Sequence, residues 1–423
     1  MSIRLDISRH PCFNAAAKGT CGRVHLPVVP ECNIRCNYCN RKYDCVNESR
    51  PGVTSSVLTP EQSLLYLERV LERAPAITVA GIAGPGDAFA NPTKTLSTLR
   101  LVRERFPELL LCLATNGLNL APYVDDLAEL DVSHVTVTVN AVDPEIGARI
   151  YSWVRNGKVI YRGLKAAELL LSRQLEAIAA LKAHGRVVKI NTIVIPGVND
   201  RHVDAVSRKM AELGVDIQNC MTMYPTQGTP FENIAEPTAE QMTAIQKAAE
   251  QHVPQMKHCT RCRADAVGLL GNDRSVEFRG CLAECSQTHE IETEGKPYVA
   301  VATVEGILVN QHLGEADSLQ IWGPSNGSFQ FIEARRTPER GSGIQRWLKL
   351  AEVLADCRAI LIGGIGETPR QVLEENHILP VEMSGFIQMG LEAIYGNGDV
   401  ERLKGRAGGC GKGGCAGEGG GCG

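Results

Sequence analysis

From about residue 24 to 255 the chain alternates short apolar runs with amphipathic stretches, and few architectures accommodate that alternation. The runs fall at 24–29, 77–82, 109–114, 134–139, 187–195 and 216–221. Their β-branched richness without polar alternation suits strands of a parallel sheet buried on both faces. Helices are expected between them. Thr59-Pro60-Glu61-Gln62 places an N-cap, a first-turn proline and a capping-box glutamine ahead of Leu64, Leu67 and Leu71. Thr238 and Gln241 repeat the device before another helix. Parallel neighbours joined by right-handed crossovers predict an α/β fold, an open partial (βα)6 TIM-type barrel over 24–255. Functional loops are expected at the carboxyl ends of its strands.

The remainder divides by composition. Residues 1–23 precede the first strand. A connector at 256–296 carries Cys259, Cys262, Cys281 and Cys285 and ends in a polar, acidic linker. A second, smaller α/β domain is expected at 297–400, with strands at 298–303, 318–322, 329–334 and 359–362 and a helix near 345–355. Residues 401–423 form a tail in which positions 405–423 hold 11 glycines with Cys410, Cys415 and Cys422. Such a tail builds no core and is expected to be flexible unless metal orders it.

A net charge of -4 gives no electrostatic reason to expect nucleic acid or an anionic membrane surface. No apolar run approaches the ~18 residues of a membrane span, and residues 1–9 lack the basic-then-apolar plan of a secretory signal. The expected location is cytoplasmic. Sixteen cysteines in such a compartment argue for metal or clusters rather than disulfides.

The first strand is followed by Cys32-Asn-Ile-Arg-Cys36-Asn-Tyr-Cys39. A [4Fe–4S] cluster usually takes four cysteines, so three leave one iron open to a small molecule. A zinc loop is the alternative, but structural zinc is closed by four ligands and only Cys45 lies close enough to be the fourth. The triad resembles the signature of the radical S-adenosylmethionine (SAM) superfamily, in which the amino and carboxylate groups of SAM chelate the open iron. That resemblance implies SAM contacts at the strand ends. Tyr38 is expected near the adenine; Gly84, Gly86 and Asp87 of Gly84-Pro-Gly-Asp87 near the SAM amino group. Asn116, Thr136, Thr138 and Asn140 are expected to reach ribose or carboxylate, and Ile195, in the stretch 191–200, the adenine. Each of these alone also reads as a turn, cap or core residue.

The wider pattern is more specific. It comprises His10-Pro-Cys12-Phe, Gly22-Arg-Val-His25-Leu-Pro, Cys39-Asn-Arg-Lys-Tyr-Asp-Cys45, the loop 84–91, Val137-Thr-Val-Asn-Ala-Val-Asp-Pro144 and His258-Cys-Thr-Arg-Cys-Arg-Ala-Asp265. Together these closely resemble the NifB family of nitrogenase cofactor assembly over about residues 8–270. Residues 297–400 are similar to its NifX-like, ribonuclease H-like domain. The resemblance implies two further [4Fe–4S] precursor clusters as substrates, one held by His25, Cys45 and Cys112 and the other by Cys12, Cys259 and Cys262. It implies their fusion, with a SAM-derived carbide and an added sulfur, into an eight-iron core. It also implies a low-potential electron donor (ferredoxin or flavodoxin), iron–sulfur cluster donors, and scaffold and carrier proteins as partners. Glu48 and Arg50 are candidates for positioning, and His10 for orienting the Cys12 loop. Cys21 and Cys220 are surplus to the pattern. From spacing alone, Cys259, Cys262, Cys281 and Cys285 also read as a four-cysteine zinc site, and Cys112 as a core thiol. Two other classes fit the cysteines: another radical SAM maturase with auxiliary clusters, and a non-enzymatic iron–sulfur scaffold.

Overall fold

The computed structural model describes residues 5–40, 52–258, 262–287, 295–325, 328–341 and 343–395. The chain forms two units, residues 1–288 and 289–423. Cys45, Glu48, Arg50, Cys259, most of the expected linker and the expected tail at 401–423 lie outside the described residues.

The strands of the first unit are β1 (Gly22–His25), β2 (Ile34–Cys36), β3 (Ile77–Ile82), β4 (Leu110–Thr115), β5 (Val132–Thr138), β6 (Tyr151–Asn156), β7 (Val159–Tyr161), β8 (Val187–Val194), β9 (Ile217–Thr222), β10 (Val267–Leu269) and β11 (Asn272–Asp273). Its helices are α1 (Pro60–Arg73), α2 (Pro92–Arg105), α3 (Val124–Glu129), α4 (Pro144–Ile150), α5 (Gly163–Ala183), α6 (Val203–Glu212), α7 (Ala239–Ala249) and α8 (Ser275–Gln287). One sheet runs β11-β10-β1-β3-β4-β5-β8-β9. Its links from β1 through β9 are all parallel, which gives the partial barrel. Both capping boxes are present: Thr59 N–H donates to Gln62 Oε1 at 2.8 Å and Thr238 N–H to Gln241 Oε1 at 2.8 Å. Such caps fix where α1 and α7 begin.

Three features of this unit differ from the sequence expectation. The first strand ends at His25 rather than near residue 29, because Pro27 has no N–H to continue the ladder. The connector adds β10 and β11, antiparallel, to the open edge beside β1. The barrel strands also alternate, contrary to the reading of uniformly apolar runs. On β4, β5 and β8, Leu111, Leu113, Val135, Val137, Val188 and Ile190 pack in one core with Leu67, Leu99, Ile178 and Val206 of the surrounding helices. The intervening Cys112, His134, Thr136, Thr138, Lys189 and Asn191 share the opposite face, as strand pleating requires. A barrel that encloses polar chemistry keeps polar groups on its inner face.

The second unit contains β12 (Tyr298–Val301), β13 (Leu308–Val309), β14 (Ser318–Ser325), β15 (Ser328–Arg336), β16 (Cys357–Ile362), β17 (Leu379–Glu382), β18 (Gly385–Phe386), α9 (Ile344–Val353), α10 (Glu367–Glu375) and α11 (Ile387–Tyr395). Its mixed sheet runs β15-β14-β12-β16-β17. Ala300 and Ala302 face the core with α9 and α10, whereas Val299 and Val301 face the core with α11. Among the described residues no helix is long and apolar enough to cross a membrane.

Candidate iron–sulfur and cofactor site

The cysteine loop is pinned from several sides. Within β2, Ile34 pairs with Val154 and Cys36 with Tyr151 of β6. Asn37 N–H donates to the Ile150 carbonyl at 2.8 Å, and Cys39 N–H to the Cys36 carbonyl at 3.2 Å, closing a turn between two thiols. Cys32, Cys36 and Cys39 remain half-buried. The glycine-rich loop packs on the stem of this loop. Gly86 N–H donates to the Val29 carbonyl at 2.8 Å and Asp87 N–H to the Glu31 carbonyl at 2.7 Å. A Cβ at Gly86 would overlap the Glu31 carbonyl, so only glycine fits there. Gly84, at φ +127°, turns the chain where it passes Gly52 and Ala264.

The polar residues expected to meet SAM make hydrogen bonds largely with one another. Asp87 is 4% exposed, and its carboxylate accepts from Phe89 N–H at 3.0 Å, Thr115 Oγ1 at 3.0 Å and Asn116 N–H at 2.5 Å. It fastens the glycine loop to the end of β4. Asn116 in turn donates to Asn33 Oδ1 at 2.7 Å, with its Nδ2 3.9 Å from Cys32 Sγ. Asn140 is fully buried; it donates to the Tyr38 hydroxyl at 3.0 Å and accepts from Ile193 N–H at 2.9 Å. Burial, with Cys36 beside the ring, holds the Tyr38 hydroxyl well above its usual pKa, so it stays neutral. Ile195 is buried in the cluster against which Cys32, Cys36 and Tyr38 pack, and its N–H donates to Asn199 Oδ1 at 2.7 Å. Thr136 is buried and Thr138 half-buried on the inner face of β5.

A [4Fe–4S] cluster fits this loop by donor set and by an orphan. Three thiols stand within eight residues. Asn33, 3% exposed and next to Cys32, keeps a buried Nδ2 without a partner, a donor facing a need for an acceptor. Among the described residues no three His, Cys, Asp or Glu side chains converge as ligands of a single ion. Thiols at the corners of a cube stand too far apart to do so.

A second constellation lies across the strands. The sheet register aligns His25 with Gly81, Gly81 with Cys112 and Cys112 with His134. Gly81 leaves room for the thiol: a Cβ there would lie 2.6 Å from Cys112 Sγ. Burial, then Cys12, push the Cys112 thiol up to about 12, Lys189 pulls it down, and Cys262 pushes it up again. These charges place Cys12, Cys262 and Lys189 close to it. His25 Nδ1 lies 2.9 Å from the Arg263 carbonyl, which only accepts, so Nδ1 carries the proton and Nε2 presents its lone pair. Burial, then Arg23, lower the His25 pKa to about 4 and keep the ring neutral, the form that ligates. Arg263 is held by Asp265 at 2.7 Å, and Asp265 by Ser55 N–H at 2.9 Å. His258 Nε2 donates to the Pro11 carbonyl at 3.0 Å, tying the connector to the Cys12 segment. His10 Nδ1 accepts from Cys12 N–H at 3.2 Å.

The other cysteines separate from this group. Cys285 on α8 is buried among Phe278 and Leu282, and burial with Cys281 lifts it to about 12; a thiol so placed is an inert core thiol. Cys281 lies beside Arg69 of α1. Cys281 and Cys285 both lie on α8, and among the described residues no three His, Cys, Asp or Glu side chains gather as ligands of one ion. Cys21 and Cys220 are buried too. Sequence reasoning passed over His134, Lys189 and Asn33. The signal for Lys189 was one lysine inside the apolar run Val187-Val-Lys-Ile.

A cysteine-triad loop after the first strand of a partial parallel barrel defines a radical SAM domain, and the model of the Radical SAM superfamily matches residues 26–210. A second family model, dinitrogenase iron-molybdenum cofactor, matches residues 295–396. The "FeMo cofactor biosynthesis protein NifB" of Chlorobaculum tepidum is 52% identical over 95% of this chain and 95% of its own. Its namesake from Klebsiella pneumoniae is 41% identical over 88% and 86%. Among solved structures, Streptococcus suis SuiB bound to S-adenosylmethionine covers 55% of this chain and 50% of its own, at 13% identity and a TM-score of 0.41. The chain belongs to the NifB family of FeMo cofactor biosynthesis proteins.

Proposed function

We propose that this radical SAM protein fuses two [4Fe–4S] substrate clusters, with a carbon from SAM and one further sulfur, into an eight-iron cofactor core. Cys32, Cys36 and Cys39 would hold the resident [4Fe–4S] cluster, which would supply reductive cleavage of one SAM to methionine and a 5′-deoxyadenosyl radical, while a second SAM would give up its methyl group as the carbon source. The chain's own residues position and enclose. Asp87, Asn116 and Asn33 brace the cysteine loop; Tyr38, Asn140 and Ile195 wall the SAM side; Thr136 and Thr138 offer hydroxyls on the inner face. His25, Cys45 and Cys112 take one substrate cluster, and Cys12, Cys259 and Cys262 the other. Three ligands per cube leave the facing corners free to join. Residues 297–400 hold or dock the product, and the tail at 401–423 hands over iron or clusters. The partners in this reading are a ferredoxin- or flavodoxin-type donor, cluster donors and cofactor carriers.

The observation that carries this reading is the alignment of His25, Gly81 and Cys112 on one sheet face, with Cys12 and Cys262 in electrostatic reach of Cys112. Anaerobic reconstitution tests it. About twelve irons per chain, the sum of three four-iron cubes, with SAM perturbing the spectrum of one cluster alone, supports the reading. About four irons would refute it, and 5′-deoxyadenosine formation separates enzyme from passive scaffold.

A further inference from the structure

Lys189 stands on the inner face of β8, opposite Thr136 of β5 and Ile217 of β9, and is 8% exposed. Its Nζ lies 4.9 Å from the centroid of the Phe13 ring and 4.0 Å from Met256 Sδ. Among the described residues no carboxylate pairs with it. Leaving an ammonium buried without a counter-charge is strongly unfavourable, so a fold that keeps one has a compensating anion in its working state. The groups that feel its charge are Cys112, His10, His25 and His134. None of these four is a carboxylate. A second donor in the same neighbourhood also lacks an acceptor. His10 is 1% exposed, its Nδ1 is occupied by Cys12 N–H, and its Nε2 has no partner. The His10 ring lies 4.4 Å from that of His134, and the His134 ring 4.4 Å from Phe13 beneath the ammonium. The fold has gathered a fixed positive charge and an unpaired N–H donor around the thiols of Cys12 and Cys112, and among the described residues no carboxylate receives either.

We propose that Lys189 binds the anionic iron–sulfur substrate inside the barrel, supplying the counter-charge for its thiolates and sulfides. This inference rests on the cluster-fusion reading above. Iron–sulfur cubes carrying thiolates are net anionic, and their bridging sulfides accept from N–H donors. A single fixed cation at this position attracts the substrate without adding a covalent ligand that must later be broken. Charge therefore supplies affinity while ligand number stays low, and the product can leave.

The test compares wild-type chain with Lys189→Met and Lys189→Arg, all prepared without oxygen. Methionine keeps the length and packing beside Met256 but removes the charge. The apo Lys189→Met protein is expected to melt above apo wild type, because a buried unpaired cation is gone. After reconstitution with iron and sulfide, it is expected to release its SAM-insensitive iron to a chelator about tenfold faster, and Lys189→Arg to restore retention. An apo Lys189→Met that melts lower than wild type, or retains its SAM-insensitive iron as long, overturns the inference. A wild-type chain that takes up only about four irons overturns both this inference and the cluster-fusion reading. Full wild-type loading with an unimpaired Lys189→Met overturns this one alone.

Discussion

Replacing Asp265 by alanine removes the anchor behind the His25 contact, and the structure sets the size of the effect. Asp265 and Arg263 form a buried pair, with side chains 4% and 9% exposed. The same carboxylate accepts from Ser55 N–H at 2.9 Å and Thr54 Oγ1 at 3.1 Å. Truncation takes the Asp265 carboxylate away from a buried guanidinium, a loss of about 3–5 kcal/mol. At about 2–4 °C per kcal/mol for a unit of this size, the apo protein is expected to melt about 10 °C lower. Burial alone would raise the Asp265 carboxyl, but Arg263, Ser55 and Thr54 outweigh it and hold the pKa below the usual carboxylate value. Its stabilisation is therefore fully present above the unfolded value of about 3.9 and is lost as pH falls through the lower folded value. Calorimetry at pH 7 reads all of it. The Arg263 carbonyl then loosens its hold on His25 Nδ1, and outer contacts of this kind change metal affinity by about 10–100-fold. Iron retention against a chelator should fall by that factor. Asp265→Asn, which keeps shape but loses charge, should fall between. An Asp265→Ala protein with wild-type melting and retention refutes the reasoning.

Gly81→Ala should push Cys112 Sγ aside, because the new Cβ would lie 2.6 Å from it; SAM-insensitive iron per chain falls, and an unchanged iron count counts against the ligand assignment. His25→Cys should load substrate clusters but release product more slowly, since thiolate is the tighter and less labile ligand; unchanged fusion and release in a transfer assay removes that role. Burial, then Lys189, lower the His134 pKa to about 3. Between that value and the unfolded ~6.5 the unfolded chain binds the extra proton, so stability drops as pH falls. Moving the apo protein from pH 7 to 5 costs about 2 kcal/mol at this residue. Denaturant midpoints should show that part of the loss absent in His134→Gln.

Much of the barrel was readable because its signals are local. Proline, threonine and glutamine at 59–62 specify where α1 begins whatever surrounds them, and six apolar runs separated by helix-length stretches leave little besides parallel units. The cysteine triad was readable for the same reason, since all three thiols lie in one short loop. On β5, Thr136 and Thr138 were legible as polar strand-end groups, but the full alternation of Val132-Ser-His-Val-Thr-Val-Thr was masked because each polar group there is small or aromatic. β10 and β11 escaped because a three-residue edge strand has almost no pattern of its own.

The sequence by itself determined the βα order, the helix starts and the three-thiol loop, all fixed by residues within a few positions of each other. Only the tertiary structure decided that Gly81 sits between His25 and Cys112, that Asp87 turns to Thr115 and Asn116, and that no carboxylate among the described residues pairs with Lys189. Those outcomes depend on strand register and on which buried polar atoms find partners across the sheet. Period-two alternation gives a residue its side of its own strand; only packing many residues apart in sequence decides what stands opposite.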